Sequence, residues 1–235
     1  MATKGVSVSF SISIVPVGMA CAAAGATKTH ASRALLGKDA TSCLNVLVVL
    51  NSPGISRHTL RRLLGCAHLC VCADGGANLV FDSAVVGGSV HLAGKAPFLP
   101  HAITGDLDSL RPDVRRFYES HGVPVVETAD QDRNDFQKCV AHLLDEERGL
   151  ARKDSRLQTT GRKSELPHRR HLLVAGAMGG RFDQTVCNMS VALRIAEGGA
   201  FDSIALFSDD SMVIPLLAGR HRVISDASME ANPCE

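Results

Sequence analysis

The sequence predicts an α/β fold in which a mostly parallel sheet is covered by helices on both faces. Three observations carry this. Short, continuous apolar runs recur from Leu44 onward, in LNVLVVLN, HLCVCADGG, HAITGDLDS, VPVVET, HLLVAGAMGG and SIALFSDD. Strands that are apolar throughout, without alternation, belong to sheets buried on both faces, and those are largely parallel sheets. Amphipathic stretches separate the runs: across Asp135 to Glu147, Phe136, Cys139, Val140, Leu143 and Leu144 follow helical spacing. A second such stretch follows Gln184 and carries Val186, Met189, Leu193 and Ala196. Strand and helix in alternation give the parallel α/β class.

Totals narrow the function classes. The chain has 235 residues, 45% of them hydrophobic and 21% charged, which is the composition of a folded globular protein. Its 25 basic and 24 acidic residues leave a formal net charge of +1, so no global field attracts nucleic acid or an anionic membrane. With no Trp and a single Tyr, base-stacking platforms are not expected either. The eight cysteines lack paired C-x-x-C spacing and read as reduced thiols, with Cys70 and Cys72 on one face of a strand.

Residues 1–43 carry one acidic residue, Asp39, and an apolar stretch from Ile12 to Ala24 interrupted by Ser13, Pro16 and Gly18. This segment is expected to be a disordered or targeting leader, with transit, signal and plain-extension readings all open. No membrane anchor is expected, because the stretch is too short and mixed to span a bilayer, and the expected compartment is the cytoplasm. Gly149 to Arg170 is polar and aperiodic, so it reads as a mobile surface insertion. Gly87 to Pro97 reads as a smaller one.

The polar clusters lie where apolar runs end, the position at which open α/β sheets hold ligands. After HLCVC comes Asp74-Gly75-Gly76-Ala77-Asn78, an acid and two glycines that admit close approach to a ligand or, equally, a turn with Asp74 as helix cap. After AIT comes Gly105-Asp106-Leu107-Asp108-Ser109. Two carboxylates at i and i+2 share one side of an extended strand and suit a hard cation such as Mg²⁺, whose other positions go to water and phosphate oxygens. Here, too, a turn with Asp108 or Ser109 as a helix cap is an alternative.

The cluster Asp130-Gln131-Asp132-Arg133-Asn134-Asp135 opens directly into a helix, where Asn134 or Asp132 can serve as an ordinary cap. A cap does not account for Lys138, one turn inside, whose ammonium is placed to reach a phosphate. Finally, Gly179-Gly180-Arg181-Phe182-Asp183-Gln184 joins a strand to a helix start, an arrangement that receives phosphate on backbone amides, with Arg181 adding charge. It is neither G-x-G-x-x-G nor a Walker A loop.

In order, ADGGAN, GDLDS, DQDRNDF-x-KC and GGRFDQ resemble the four signature segments of eukaryotic thiamine pyrophosphokinases, over roughly Leu44 to Arg222. The resemblance implies a Rossmann-like catalytic domain, placed at residues 44–210, then an antiparallel β-sandwich that helps to bind thiamine. It also implies a homodimer, ATP as co-substrate, Mg²⁺ as cofactor, and transfer of pyrophosphate from ATP to thiamine with AMP released.

By the same resemblance, Asp74, Asp106, Asp108 and Asp135 are catalytic, and the last three are the metal ligands. Gly75, Gln131, Asn134, Lys138, Gly180, Arg181 and Asp183 serve nucleotide and phosphate. Asn134 stands where the family has a threonine. Asp74 and Asp135 are both candidates for the base. Residues 211–235 resemble only the truncated start of the β-sandwich, so a nucleotide-binding but catalytically impaired form is the alternative function. A metal-dependent glycosyltransferase would use the Asp106-Leu107-Asp108 triplet but would leave DQDRNDF and GGRFDQ without a role.

Overall fold

The computed structural model describes residues 7–14, 28–31, 43–86, 89–90, 98–128, 130, 132–145 and 169–226. Its centre is a seven-stranded sheet. In chain order the strands are β3 (Cys43–Val49), β4 (Leu69–Ala73), β7 (Ala102–Gly105), β8 (Val125–Glu127), β9 (Arg169–Ala175), β10 (Ser203–Phe207) and β11 (Met212–Val213). They lie side by side as β11-β10-β9-β3-β4-β7-β8. All neighbours are parallel except β10 and β11, which pair antiparallel at the edge. All six apolar runs of the sequence are strands of this sheet.

Parallel strands need crossovers, and the helices supply them. α1 (Arg57–Cys66), α2 (Gly76–Ala84) and α3 (Pro112–Ser120) cover one face, where Leu60, Leu63, Leu64, Val80, Val114 and Tyr118 pack on Leu47, Val49, Cys70, Cys72 and Ile103. The helix over 135–145, α4, and α5 (Phe182–Glu197) cover the other. There Phe136, Cys139, Val140, Leu143, Val191 and Ala192 pack on Val46, Val48, Val71, Leu172 and Val174. Alternate residues of β3 therefore enter opposite cores, which is why the run had to be apolar throughout. Cys70 and Cys72 share a face as expected, and both are free thiols.

The strand order reverses its direction of growth at β3. From β3 the chain adds β4, β7 and β8 on one side, then returns to place β9 and β10 on the other. The point between β3 and β9 is a topological switch point, the place at which open α/β sheets hold ligands beyond the carboxyl ends of their strands.

Several expectations change. Val186, Met189 and Leu193 do not face the sheet; they are exposed together with Phe182, while Val191 and Ala192 are buried. Helix α5 carries apolar residues on two sides, and the side with the smaller Ala192 lies against the strands. Arg169 and Arg170, assigned to the insertion, belong to β9. The rest of that insertion, and most of Gly87 to Pro97, lie outside the described residues, although β5 (Val85–Val86) pairs with β6 (Ser89–Val90).

Residues 1–43 also contain strands that the sequence reading placed nowhere. β1 (Ser7–Ile14) pairs antiparallel with β12 (Gly219–Asp226), and β2 (Lys28–Ala31) pairs parallel with it. The strict alternation of Ser with Val, Phe and Ile in SVSFSISI is a period-two strand pattern. Among the described residues no helix is long and apolar enough to cross a membrane.

Candidate functional site

The loops after β3, β4, β7 and β9 leave the carboxyl ends of the sheet, and each is legible in the sequence as a polar cluster except the first. The loop after β3, Asn51-Ser52-Pro53-Gly54, interlocks with the loop after β9. A Cβ on Gly54 would stand 2.3 Å from the Met178 carbonyl oxygen and 3.1 Å from the Gly179 Cα. Gly179 (φ 89°) and Gly180 (φ 68°) take left-handed backbone angles as that loop turns into α5. Ser52 is buried, and its hydroxyl accepts the Gly54 amide at 3.2 Å. The sequence reading missed this loop. Its signal was the N-S-P-G turn set directly after an apolar run.

Beyond β4, Asp74 is 3% exposed and adopts φ 43°. It does not cap α2 with its side chain. Its backbone carbonyl starts that helix by accepting the Ala77 amide, whereas its carboxylate accepts the Ser109 amide with both oxygens at 3.2 Å. Burial raises the Asp74 carboxyl above its ordinary value; hydrogen bonds from Ser109 and Gly75 oppose that rise, and the neighbouring Asp106 charge adds to it. Gly75 is pressed against Asn51, since a Cβ there would lie 2.5 Å from the amide nitrogen of that side chain.

The two carboxylates after β7 converge, but not by the expected route. β7 stops at Gly105, and Leu107 adopts φ 63°, so Asp106 and Asp108 flank a left-handed residue in a loop rather than lying along an extended strand. Oxygen atoms of Asp74, Asp106 and Asp108 lie within 4.8 Å of one another. Asp74 is buried there, and the other two are exposed. The capping alternative also falls away, because α3 begins at Pro112 behind Arg111, which makes no side-chain cap, and the Ser109 hydroxyl donates to Asp108 at 3.0 Å.

Asp135 is outside this carboxylate set. Its Oδ1 pairs with Lys138 Nζ at 3.4 Å, within the first turn of α4. Lys138 is buried and Asp135 about two-fifths exposed. Asn134 is the cap of this helix: its Oδ1 accepts the Gln137 amide at 2.9 Å, while Gln137 Oε1 accepts the Asn134 amide at 3.1 Å. This reciprocal pair is a capping box. Its remaining amide hydrogens reach α5, at Cys187 Sγ (3.3 Å) and Asn188 Oδ1 (3.4 Å). Gln131 lies outside the described residues.

At the start of α5, Arg181 is held by Asp183, with Nε donating to Oδ1 at 3.1 Å and a second contact between Nη2 and Oδ2. Both side chains are exposed. The hydrogen bond with Arg181 holds the Asp183 carboxyl below its ordinary value. Gly180 and Arg181 thus lie on the loop that joins β9 to α5.

Comparison with known proteins accords with this arrangement. The pattern that defines the family "Thiamin pyrophosphokinase, catalytic domain" matches residues 60–203, from α1 to the start of β10. This chain belongs to that family. It is 35% identical over 176 residues to thiamine pyrophosphokinase 1 of Oryza sativa subsp. japonica, covering 72% of this chain and 58% of the relative. It is also 35% identical over 211 residues to thiamine pyrophosphokinase 1 of Arabidopsis thaliana, covering 87% and 71%. The chain thus spans under three fifths of the length of the rice relative.

The fold is shared with thiamin pyrophosphokinase from Candida albicans, at a TM-score of 0.59 and 24% identity over 87% of this chain and 68% of that one. As a member of the thiamin pyrophosphokinase catalytic-domain family, the chain places the described residues of its four signature segments after the carboxyl ends of strands of one sheet. Three of their acids are gathered into a single cluster.

Proposed function

We propose that this chain supplies the nucleotide- and metal-handling part of a pyrophosphoryl transfer from ATP to the hydroxyl of thiamine, giving thiamine diphosphate and AMP. The observation that carries the reading is the set of Asp74, Asp106 and Asp108 oxygens within 4.8 Å at the carboxyl ends of β4 and β7. Like charges held this close are costly unless a cation is shared between them. Exposed carboxylates beside a buried one form a hard oxygen set open to water and phosphate, which fits Mg²⁺. Mg²⁺, when bound, neutralises phosphate oxygens during the transfer.

The other residues then divide the work. The turn at Gly179 and Gly180 offers its amides and the α5 dipole to phosphate, and Arg181 can leave Asp183 to bind a phosphate oxygen. Lys138 holds Asp135 in place and adds positive charge at the start of α4. Asp135 lies outside the cluster with its Oδ2 not engaged by Lys138, so we assign it, rather than Asp74, the proton of the attacking hydroxyl. Alignment of the hydroxyl with the β-phosphorus is the remaining requirement. ATP, thiamine, Mg²⁺ and a homodimer belong to this proposal together.

Thiamine-dependent release of AMP from Mg·ATP by residues 1–235 tests it. ATP binding by calorimetry with no thiamine-dependent AMP would instead support a nucleotide-binding form without transfer. Absence of both would end the reading.

A further inference from the structure

The loop that carries Asp106 and Asp108 is a poor candidate to hold its own shape. It contains a left-handed leucine, Leu107 at φ 63°, between two acids that repel each other. A non-glycine residue in that region is strained and persists only where its surroundings over-determine it. The surroundings here are α2. Asn78, one turn after Asp74, donates from Nδ2 to the Ser109 carbonyl at 2.8 Å and accepts the Arg111 amide on Oδ1 at 3.1 Å.

One side-chain amide therefore takes two backbone groups of the loop, much as a neighbouring strand would. With the Asp74 carboxylate on the Ser109 amide, both backbone polar groups of Ser109 are engaged from the β4–α2 unit. Further along, Arg111 donates Nη1 and Nη2 to the two Asp82 oxygens at 2.9 and 2.8 Å, so α2 holds the loop again one turn after Asn78.

We propose that Asn78 is a positioning residue: by clamping Ser109 and Arg111 to α2 it fixes the loop in which Asp106 and Asp108 approach Asp74, and so sets the affinity for the divalent cation. This rests on the reading of the three carboxylates as a cation site. Asn78 touches none of their oxygens in any recorded hydrogen bond, and its effect passes through backbone alone. Partners that orient ligand-bearing groups typically contribute 10- to 100-fold to metal affinity.

Mn²⁺ serves as the probe, titrated into the full chain without nucleotide and followed by electron paramagnetic resonance of the free ion. Asn78→Ala is expected to raise the Mn²⁺ dissociation constant about tenfold, with hydrogen-exchange protection lost at the Arg111 amide and the melting temperature little changed. Arg115→Ala, which breaks an exposed pair with Glu119 on α3, is the control and leaves Mn²⁺ binding intact. Should Asn78→Ala not fold, Asn78→Asp carries the test. It keeps the acceptor for Arg111 but loses the donor to Ser109, and a weakening of several-fold is expected.

Wild-type affinity in whichever variant folds overturns the positioning role and leaves the cation site standing. Failure of the wild-type chain itself to bind Mn²⁺ removes the cation reading, and the positioning role with it.

Discussion

The Asp74 carboxylate accepts the Ser109 backbone amide with both oxygens at 3.2 Å, tying the end of β4 to the acidic loop after β7. This contact keeps the loop close while leaving a buried negative charge with no cation within the described residues. Asp74 takes part in no ion pair there, and burial raises its carboxyl. In the unfolded chain the group titrates as an ordinary aspartate. A raised folded value means that its contribution to stability is complete below the unfolded value and is lost as pH rises through the folded one.

Above its raised folded value, and without metal, the ionised Asp74 therefore opposes folding. Asp74→Asn keeps an oxygen to accept the Ser109 amide and removes the charge. The variant is expected to melt a few degrees higher than wild type at pH 7 in chelator, an effect on the order of 1 kcal/mol, while added Mg²⁺ no longer raises its melting temperature. A lower melting point in chelator would show that the buried charge is compensated.

Gly54 tests the packing of the two loops at the switch point. An alanine there would drive its Cβ to 2.3 Å from the Met178 carbonyl, a rigid backbone atom, so the loops after β3 and β9 must separate. Gly54→Ala is expected to cost about 1–3 kcal/mol in urea denaturation, the range of an overpacked site. Unchanged stability would mean the two loops part easily.

The sheet was legible because burial on both faces demands uninterrupted apolar strands, and no other arrangement explains runs such as LNVLVVLN. The acids at the strand ends were legible for a similar reason, since charge at the end of an apolar strand needs a purpose. What could not be read was how Asp106 and Asp108 meet. Their i, i+2 spacing suggested a strand, and only the left-handed angle at Leu107 brings them together from a loop. The role of Asn78 was hidden too, because its partners are backbone groups of Ser109 and Arg111 that leave no mark in side-chain identity. Helix α5 misled for a physical reason: Val186, Met189 and Leu193 have helical spacing, but so do Val191 and Ile195, and spacing does not say which side meets the sheet.

Cysteine chemistry separates the core from the surface. A hydrogen bond with Cys70 and burial push the Cys72 thiol up, and burial does the same for Cys139, so neither offers thiolate at neutral pH. Cys187 is exposed on α5. Among Cys70, Cys72, Cys139 and Cys187, a maleimide at pH 7 is expected to label only Cys187 in the folded chain, with the other three labelled after denaturant is added. Peptide mass spectrometry reads this directly. Early labelling of Cys72 would mean that the sheet opens.

Arg181 separates binding from folding. Its guanidinium is exposed and, among the described residues, meets only Asp183, two residues on, at the first turn of α5. Exposed pairs of this kind contribute little to stability because water screens both charges. In the proposed reaction the same guanidinium exchanges Asp183 for a phosphate oxygen, a charge-assisted contact at a helix start where the dipole already favours anions. Arg181→Ala is thus expected to leave the melting temperature unchanged and to weaken ATP binding about tenfold, the effect of one lost charge-assisted hydrogen bond. Asp183→Asn frees the guanidinium and should strengthen binding or leave it unaltered. If calorimetry shows that both substitutions weaken ATP binding equally, Asp183 contacts the nucleotide site itself and the exchange does not occur.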